Sequence, residues 1–371
     1  MTDKLNQNAV TGTACIITGG LLNDVHAKTA HGLIRQSDRF QILGVLDHIS
    51  AGEDAGMLLD GKHRNIPVFH TIEQLIGHCG QKPDYAIIGM ATKGGVLPEE
   101  LYPLVKQTLE MGISLVNGLH ETIGDIEEFS AVAKQGQSRI LDIRKPKGFK
   151  DLHFWTGKIK EVKALKLAVL GTDCALGKRT TTKFLVNELK EHGCDAHMVY
   201  TGQTGWLQGG QYGFVFDATP NDFISGELEH SVCQCWEKED PDVILLEGQS
   251  SLRNPSGPCG SEYIISCELD GVILQHAPGR TYFNGLEKYG KPIPTIEEEI
   301  ALIKMLGTDT ICITLNSEGL TPKEAQNIKN KIEQELGIPT VLPLEEGMNR
   351  CAATIKQMMH KKKDVVPVTR P

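Results

Sequence analysis

The sequence predicts an α/β protein of two domains, each built on a mostly parallel sheet, and three observations carry that prediction. The chain has 371 residues, and at roughly 150 residues per domain a single small module is excluded. Short runs rich in Ile and Val alternate with helix-like stretches along both halves, as in strands joined by right-handed crossovers. Glycine contributes 39 residues while aromatics make up 5%, a mixture suited to βα turns, whose backbone angles glycine tolerates.

Taken in order, the first half reads ACIITGG from Ala14, a helical stretch through Ile34, FQILGVLD, IPVFHTIEQL, DYAIIGMATKGG, a helix from Pro98 to Glu110, and GISLVNGLH. The alternation lapses over residues 138–163, SRILDIRKPKGFKDLHFWTGKIKEVK, where basic and aromatic residues gather. The boundary is placed there, giving domains 1–150 and 151–371. A second series opens with the apolar strand LKLAVL, followed by a helix to about His192, a strand to Tyr200, a helix from about Asp222 to Lys238 and the strand PDVILLEG. DGVILQH with a helix Ile296 to Leu306, TICITLN with a helix Pro322 to Leu336, and a short strand in IPTVLPL complete it. Lys361 to Lys363, in the basic tail, are expected to fray into solvent. No period of about 20–50 residues recurs, which argues against a solenoid or propeller.

Hydrophobic residues make up 40% and charged residues 23%, with no long apolar run, so disorder and membrane spanning are disfavoured. Lys plus Arg number 38 against 47 Asp plus Glu, a net charge of -9, so no global basic field recruits nucleic acid or an anionic membrane. An anionic ligand must be captured locally. The 10 cysteines are scattered and the opening MTDKLNQNAV lacks a secretory pattern, so reduced thiols in a cytoplasmic protein are expected. Cys233 and Cys235 form the one close pair and are read as small side chains on a helix face. No metal ligand is assigned.

The sharpest signal is LAVLGTDCALGKRTTTKFLVNELKEHG. A buried strand runs into a loop bounded by Gly171 and Gly177, then Lys178, then hydroxyl residues opening an amphipathic helix. Such a loop turns successive N–H groups inward, the helix N-terminus adds partial positive charge, and Lys178 adds a full one. The phosphate cradle spans Gly171, Thr172, Cys174, Ala175, Gly177, Lys178, Arg179, Thr180 and Thr181. Two departures from the common P-loop stand out: five residues separate Gly171 from Gly177, and Arg179 follows Lys178 where a magnesium-binding hydroxyl is usual. Arg179 is suited instead to a charge-assisted contact with an anion. A second strand, PDVILLEGQSSL, ends in Glu247, placed to hold Mg²⁺ or to accept a proton in the cleft.

GTDxxxGK followed by a strand ending in EG resembles the dethiobiotin synthetase branch of the P-loop superfamily. Over nearly the full length, GTDCALGKRTT, YTGQTGW, DYAIIGMATKGG and LVNGLH resemble the D-glutamate N-acetyltransferase family. That resemblance implies a Rossmann-like parallel sheet followed by a P-loop NTPase-like parallel sheet. It also implies acetyl-CoA as cosubstrate and D-glutamate as acceptor. A P-loop can hold the phosphates of CoA without phosphoryl transfer, and the displaced hydroxyls then cease to be anomalous. An acyltransferase needs an anchored thioester, a deprotonated amine and donors for the oxyanion.

Candidates for those roles lie in loops after strands, where open α/β sheets place ligands. Gln203 and Thr204 in TGQTGW are candidate substrate or thioester donors. Arg280, and after it Arg253, are candidates for a substrate carboxylate. The base is sought among Glu247, His276 and Asp173, with Glu247 preferred; Asp173 alternatively caps the loop or orients Lys178. Asn316 occupies a late strand end where related enzymes read an adenine, or else caps a turn. In the first domain ITGG is too short for a dinucleotide fingerprint, though Asp47 stands where a ribose-binding acid would. The partner expected is a small molecule, with no nucleic acid and no membrane, in a homo-oligomer whose state no sequence feature sets. The rival readings are a Mg-ATP-dependent kinase or ligase and a non-catalytic nucleotide or CoA sensor.

Overall fold

The protein is described by a computed structural model covering residues 10–365. It divides into two compact units. The first comprises the described residues up to Lys147 together with Gln203–Gln211; the second comprises Gly148–Gly202 and the described residues from Tyr212 onward.

The first series runs β1 (Gly12–Ile17), α1 (Lys28–Arg35), β2 (Phe40–Leu46), α2 (Ala55–Asp60), β3 (Val68–Phe69), α3 (Ile72–Cys79), β4 (Tyr85–Ile88), α4 (Tyr102–Glu110), β5 (Ser114–Asn117), α5 (Glu127–Gln135) and β6 (Ile140–Asp142). Its six strands lie in the order β3-β2-β1-β4-β5-β6, all parallel, the order of a doubly wound dinucleotide-binding sheet. One face packs Cys15, Ile17, Ala86, Ile88 and Leu115 against Val105, Leu109 and Phe129 from α4 and α5. The helix predicted from Pro98 begins as a 3-10 turn, Glu99–Leu101, before α4. β6 lies in the stretch where the alternation seemed lost, because three residues are too few to show a period.

Asp47, the candidate ribose-binding acid, is buried and its carboxylate accepts from Thr18 Oγ1 and from the main-chain N–H groups of Gly20, Leu22, Ile49 and Ser50. These bonds tie the loops after β1 and β2 together. The carboxylate organises the backbone and is already saturated with donors.

The second series runs β7 (Leu165–Gly171), α6 (Lys178–Glu191), β8 (Ala196–Tyr200), α7 (Gln203–Leu207), β9 (Tyr212–Gly213), α8 (Asn221–Glu239), β10 (Val243–Glu247), α9 (Ser261–Ser266), β11 (Gly271–His276), α10 (Ile296–Met305), β12 (Thr310–Leu315), α11 (Pro322–Leu336), β13 (Thr340–Val341) and α12 (Asn349–Val365). Seven parallel strands lie in the order β13-β12-β11-β7-β10-β8-β9. β7 is therefore central and buried along its whole length, which explains its apolar run from Leu167 to Leu170. The bounds of α11 coincide with the sequence reading for local reasons. Thr321 and Glu324 form a capping box, Pro322 sits in the first turn, and Gly337 closes the helix at φ 65°.

Three readings are corrected. The segment α7, with the residues up to Gln211, groups with the first unit, held there by Arg39, whose Nε donates to Trp206 O at 2.8 Å and whose guanidinium lies 4.3 Å from the centre of the Trp206 ring. Cys312 on β12 and Cys351 on α12 form a disulfide, so the thiols are not all reduced; the other eight cysteines are free. The pairing joins two buried residues brought together only by packing of α12 on the sheet. Lys361 to Lys363 belong to α12 and have helical backbone, an amphipathic face of that helix having docked it. Cys233 and Cys235 are buried on α8, in keeping with the helix-face reading.

Residues 153–159 are fastened to α8 by two buried glutamates. Glu227 accepts from His153 N and sits 2.8 Å from its Nδ1, while Glu229 accepts from Thr156 N, Thr156 Oγ1 and Ile159 N. Among the described residues, no helix is long and apolar enough to cross a membrane.

Candidate active site

The site grows from the carboxyl end of β7. Ala175 and Gly177 are exposed and take positive φ, 53° and 98°, so the loop between Gly171 and α6 curls as the phosphate-cradle reading requires. Gly177 is the N-cap of α6, a helix of 14 residues, and no side chain caps that end. The N–H groups of its first turn thus have no side-chain acceptor from this chain and form a donor set suited to an anion. The pattern continues inside the helix: Thr181 and Thr182 are buried, Thr182 Oγ1 donates back to Lys178 O at 2.8 Å, and Arg179 and Thr180 are half-buried.

Lys178 is buried, and its Nζ donates to Asp173 O and Ser250 O, each at 2.7 Å. Burial pulls its ammonium down to about 8. Asp173 is fully buried and is the hub of the loop. One of its oxygens accepts from Cys174 N and Asn254 Nδ2, and the other from Arg280 Nη1 and Asn284 N, at 2.7 to 3.1 Å. Leu176 O is held from the β11 and β12 side by Gln275 Nε2 and Asn316 Nδ2. Thr172 Oγ1 lies 2.9 Å from His276 Nδ1, and burial drives that imidazole down to about 4, so it is neutral near pH 7.

Beside β7 lies β10, whose last residue Glu247 is in register with Val169. Glu247 is 4% exposed, and burial lifts its carboxyl above the ordinary range, opposed by the Arg179 charge and by the N–H of Thr201 at 3.2 Å. Thr201 accepts from Tyr263 Oη and Gln249 Nε2 and gives its own hydroxyl proton to Glu247 O.

A family model described as "Domain of unknown function (DUF1611_C) P-loop domain" matches residues 153–352. A second, described as a DUF1611_N Rossmann-like domain, matches residues 49–146. The chain belongs to the DUF1611 family. Two curated relatives are each named D-glutamate N-acetyltransferase. The one from Pseudoalteromonas sp is 32% identical over 274 residues, covering 72% of this chain and 80% of its own. The one from Tritonibacter scottomollicae is 30% identical over 271 residues, covering 71% and 78%. The crystal structure of a DUF1611 family protein from Anabaena variabilis is 27% identical with a TM-score of 0.85, covering 94% of this chain and all of that one. These relatives make the chain an enzyme, an N-acetyltransferase.

In this DUF1611 enzyme the second unit brings Gly171, Thr172, Asp173, Cys174, Ala175, Gly177, Lys178, Arg179, Glu247, His276, Arg280 and Asn316 to the carboxyl ends of β7, β10, β11 and β12. It does not free them all for ligands. Arg280 is engaged with Asp173, Cys174 O and, at 3.4 Å, Glu318. Arg253 pairs through Nε with Glu299 and through Nη2 with Glu298, both at 3.0 Å. Asn316 uses Nδ2 on Leu176 O and Oδ1 on the N–H of Glu318, so it works as a turn cap and loop brace. Gln203 and Thr204 are buried in the first unit, with Thr204 Oγ1 3.3 Å from Thr29 Oγ1. Sequence reasoning passed over Ser250, Asn254, Gln275 and Asn284. Ser250, Asn254 and Asn284 lie in loops directly after β10 and β11, and that placement was the available signal.

Proposed function

We propose that the enzyme transfers the acetyl group of acetyl-CoA to the amine of D-glutamate or a related acidic D-amino acid, with the P-loop holding the CoA phosphates. The observation that carries this reading is the pairing of an uncapped phosphate-cradle helix with a buried carboxyl whose basicity is raised, on the adjacent strand. The relatives named D-glutamate N-acetyltransferase supply the acceptor.

The loop fits the phosphates of CoA by its donor set: the first turn of α6, the curled backbone at Ala175 and Gly177, and the charge of Lys178. Arg179 stands where nucleotide-hydrolysing P-loops carry the magnesium-binding hydroxyl, and a second cation there suits a ligand phosphate. Acetyl-CoA supplies an activated acyl carbon, which bonds to the amine nitrogen as its bond to sulfur breaks and CoA leaves as the thiol. Glu247 takes the proton that converts the acceptor ammonium into an amine, a role its burial favours. His276, held neutral and weakly basic beside Thr172, is a poorer base, and Asp173 is fastened by its donors.

The test is thiol release from acetyl-CoA with D-glutamate, L-glutamate or no amine, each with and without EDTA. Release that depends on D-glutamate and survives EDTA is the expected result. No release, together with Mg²⁺-dependent ATP consumption, would return the loop to phosphoryl transfer and make the enzyme a kinase or ligase.

A further inference from the structure

Ala175, which follows Cys174, is not glycine, yet it holds φ 53°, a left-handed conformation disfavoured for an L-residue. Such a conformation persists only where surrounding contacts over-determine it. Arg280 Nη1 bridges Asp173 Oδ2 at 2.8 Å and Cys174 O at 2.9 Å, clamping the peptide immediately before Ala175. Asn254, with no exposed surface, donates from Nδ2 to Asp173 Oδ1 at 3.1 Å and lies 3.3 Å from Cys174 Sγ. Its Oδ1 is itself held by Ser256 N and Ser256 Oγ, at 2.9 and 2.7 Å, which leaves the amide one orientation. Two loops from two different strands thus converge on one carboxylate and hold one strained residue of the cradle.

We propose that Arg280 and Asn254 are positioning residues for CoA, which act through Asp173 to keep Ala175 in the left-handed conformation that the phosphate cradle needs. Arg280 therefore shapes the loop and does not bind the carboxylate of the acceptor. Without the clamp Ala175 relaxes to right-handed backbone, the peptide groups beside it rotate, and the inward N–H set is lost. This inference rests on the reading of the P-loop as a CoA cradle, and the experiment separates the two.

CoA is titrated calorimetrically into the full-length wild-type protein and into Arg280→Ala, Asn254→Ala and Arg280→Ala/Ala175→Gly, with melting curves to establish folding and steady-state kinetics alongside. Arg280→Ala is expected to weaken CoA binding at least tenfold and to leave the KM for D-glutamate unchanged. Glycine at position 175 takes φ 53° without penalty, so the double variant is expected to recover at least threefold in affinity. Asn254→Ala gives the same direction of effect and serves if Arg280→Ala does not fold. CoA binding equal in wild type and variants overturns the inference alone. So does a raised KM for D-glutamate with CoA affinity intact, which makes Arg280 an acceptor-binding residue. Absence of CoA binding in the wild type overturns the cradle reading and the inference together.

Discussion

Lys178 donates its ammonium to the main-chain carbonyl of Ser250, 2.7 Å away and 72 positions later in the chain. Ser250 itself holds φ 37°, so the loop after β10 is bent to present that carbonyl to the P-loop. The contact joins the two strand ends that carry the P-loop and the candidate base. Lys178→Ala removes the charge and leaves two carbonyls without their donor, while also relieving the burial of an ammonium. The two effects oppose one another, so stability is expected to change by no more than about 2 kcal/mol. The KM for acetyl-CoA is expected to rise at least tenfold, read by steady-state kinetics beside a melting curve; an unchanged KM with intact fold would sink the cradle assignment.

The pH profile follows from two buried groups. As the proposed base Glu247 must be ionised to accept a proton, and burial raises its carboxyl above the ordinary 4.5, so kcat/KM should climb with pH through a midpoint above that value. In its proposed role Lys178 must be protonated to hold phosphate, and it is pulled down to about 8, so kcat/KM should fall again as pH passes about 8. Glu247→Gln should abolish most of the activity and, in the residual rate, the acid limb. The same raised carboxyl has a stability consequence. The folded state binds the extra proton between 4.5 and the raised value, so Glu247 makes stability fall with pH across that window. Chemical denaturation of Glu247→Gln at several pH values should show that slope gone.

Gly226 lies on α8 where residues 153–159 cross it. A Cβ there would sit 2.0 Å from His153 O and 2.5 Å from the carbonyl carbon of Phe154, both backbone atoms. Gly226→Ala is therefore expected to lower stability by about 1–3 kcal/mol, despite the better helix propensity of alanine. A melting temperature equal to wild type would show that the crossing segment moves away freely.

The disulfide between Cys312 and Cys351 closes a separation of 39 residues. Chain-entropy reasoning puts its contribution at up to about 4 kcal/mol. Alkylation of the denatured protein should label eight thiols before reduction and all 10 cysteines after it. Label on all of them without reductant would refute the pairing, and the Cys312→Ala/Cys351→Ala variant should unfold at lower denaturant.

Asp47 offers a test of the first unit. Its carboxylate accepts from Thr18, Gly20, Leu22, Ile49 and Ser50, so Asp47→Ala is expected to cost at least about 3 kcal/mol. Calorimetric titration with nicotinamide dinucleotides should give no binding heat. Measurable binding of NAD would restore the ribose-binding reading.

Much of the molecule was legible because its signals are local. Buried parallel strands such as β7 and β10 announce themselves by apolar runs, Leu167 to Leu170 and Val243 to Leu246, and α11 carries its own start and stop in Thr321, Glu324, Pro322 and Gly337. The P-loop was legible because strand, glycines, lysine and hydroxyls must follow one another in order for a phosphate to be cradled. What eluded the sequence was pairing. Arg253, Arg280 and Asn316 sit in loops after strands as a ligand-binding residue would, yet a residue type in a loop says nothing about the partner that reaches it first. Glu298 and Glu299 reach Arg253, and Asp173 reaches Arg280.

The sequence by itself determined the two-sheet α/β class, the alternation of the principal strands and helices, and the P-loop at Gly171 to Lys178, since each depends on neighbours along the chain. Only the tertiary structure decided that Gln203–Gln211 group with the first unit, that Cys312 meets Cys351, and that Asp173 fastens the loop through Asn254, Arg280 and Asn284. Those outcomes depend on residues up to 176 positions apart, and electrostatics, burial and hydrogen bonding act through space, where sequence spacing carries no distance.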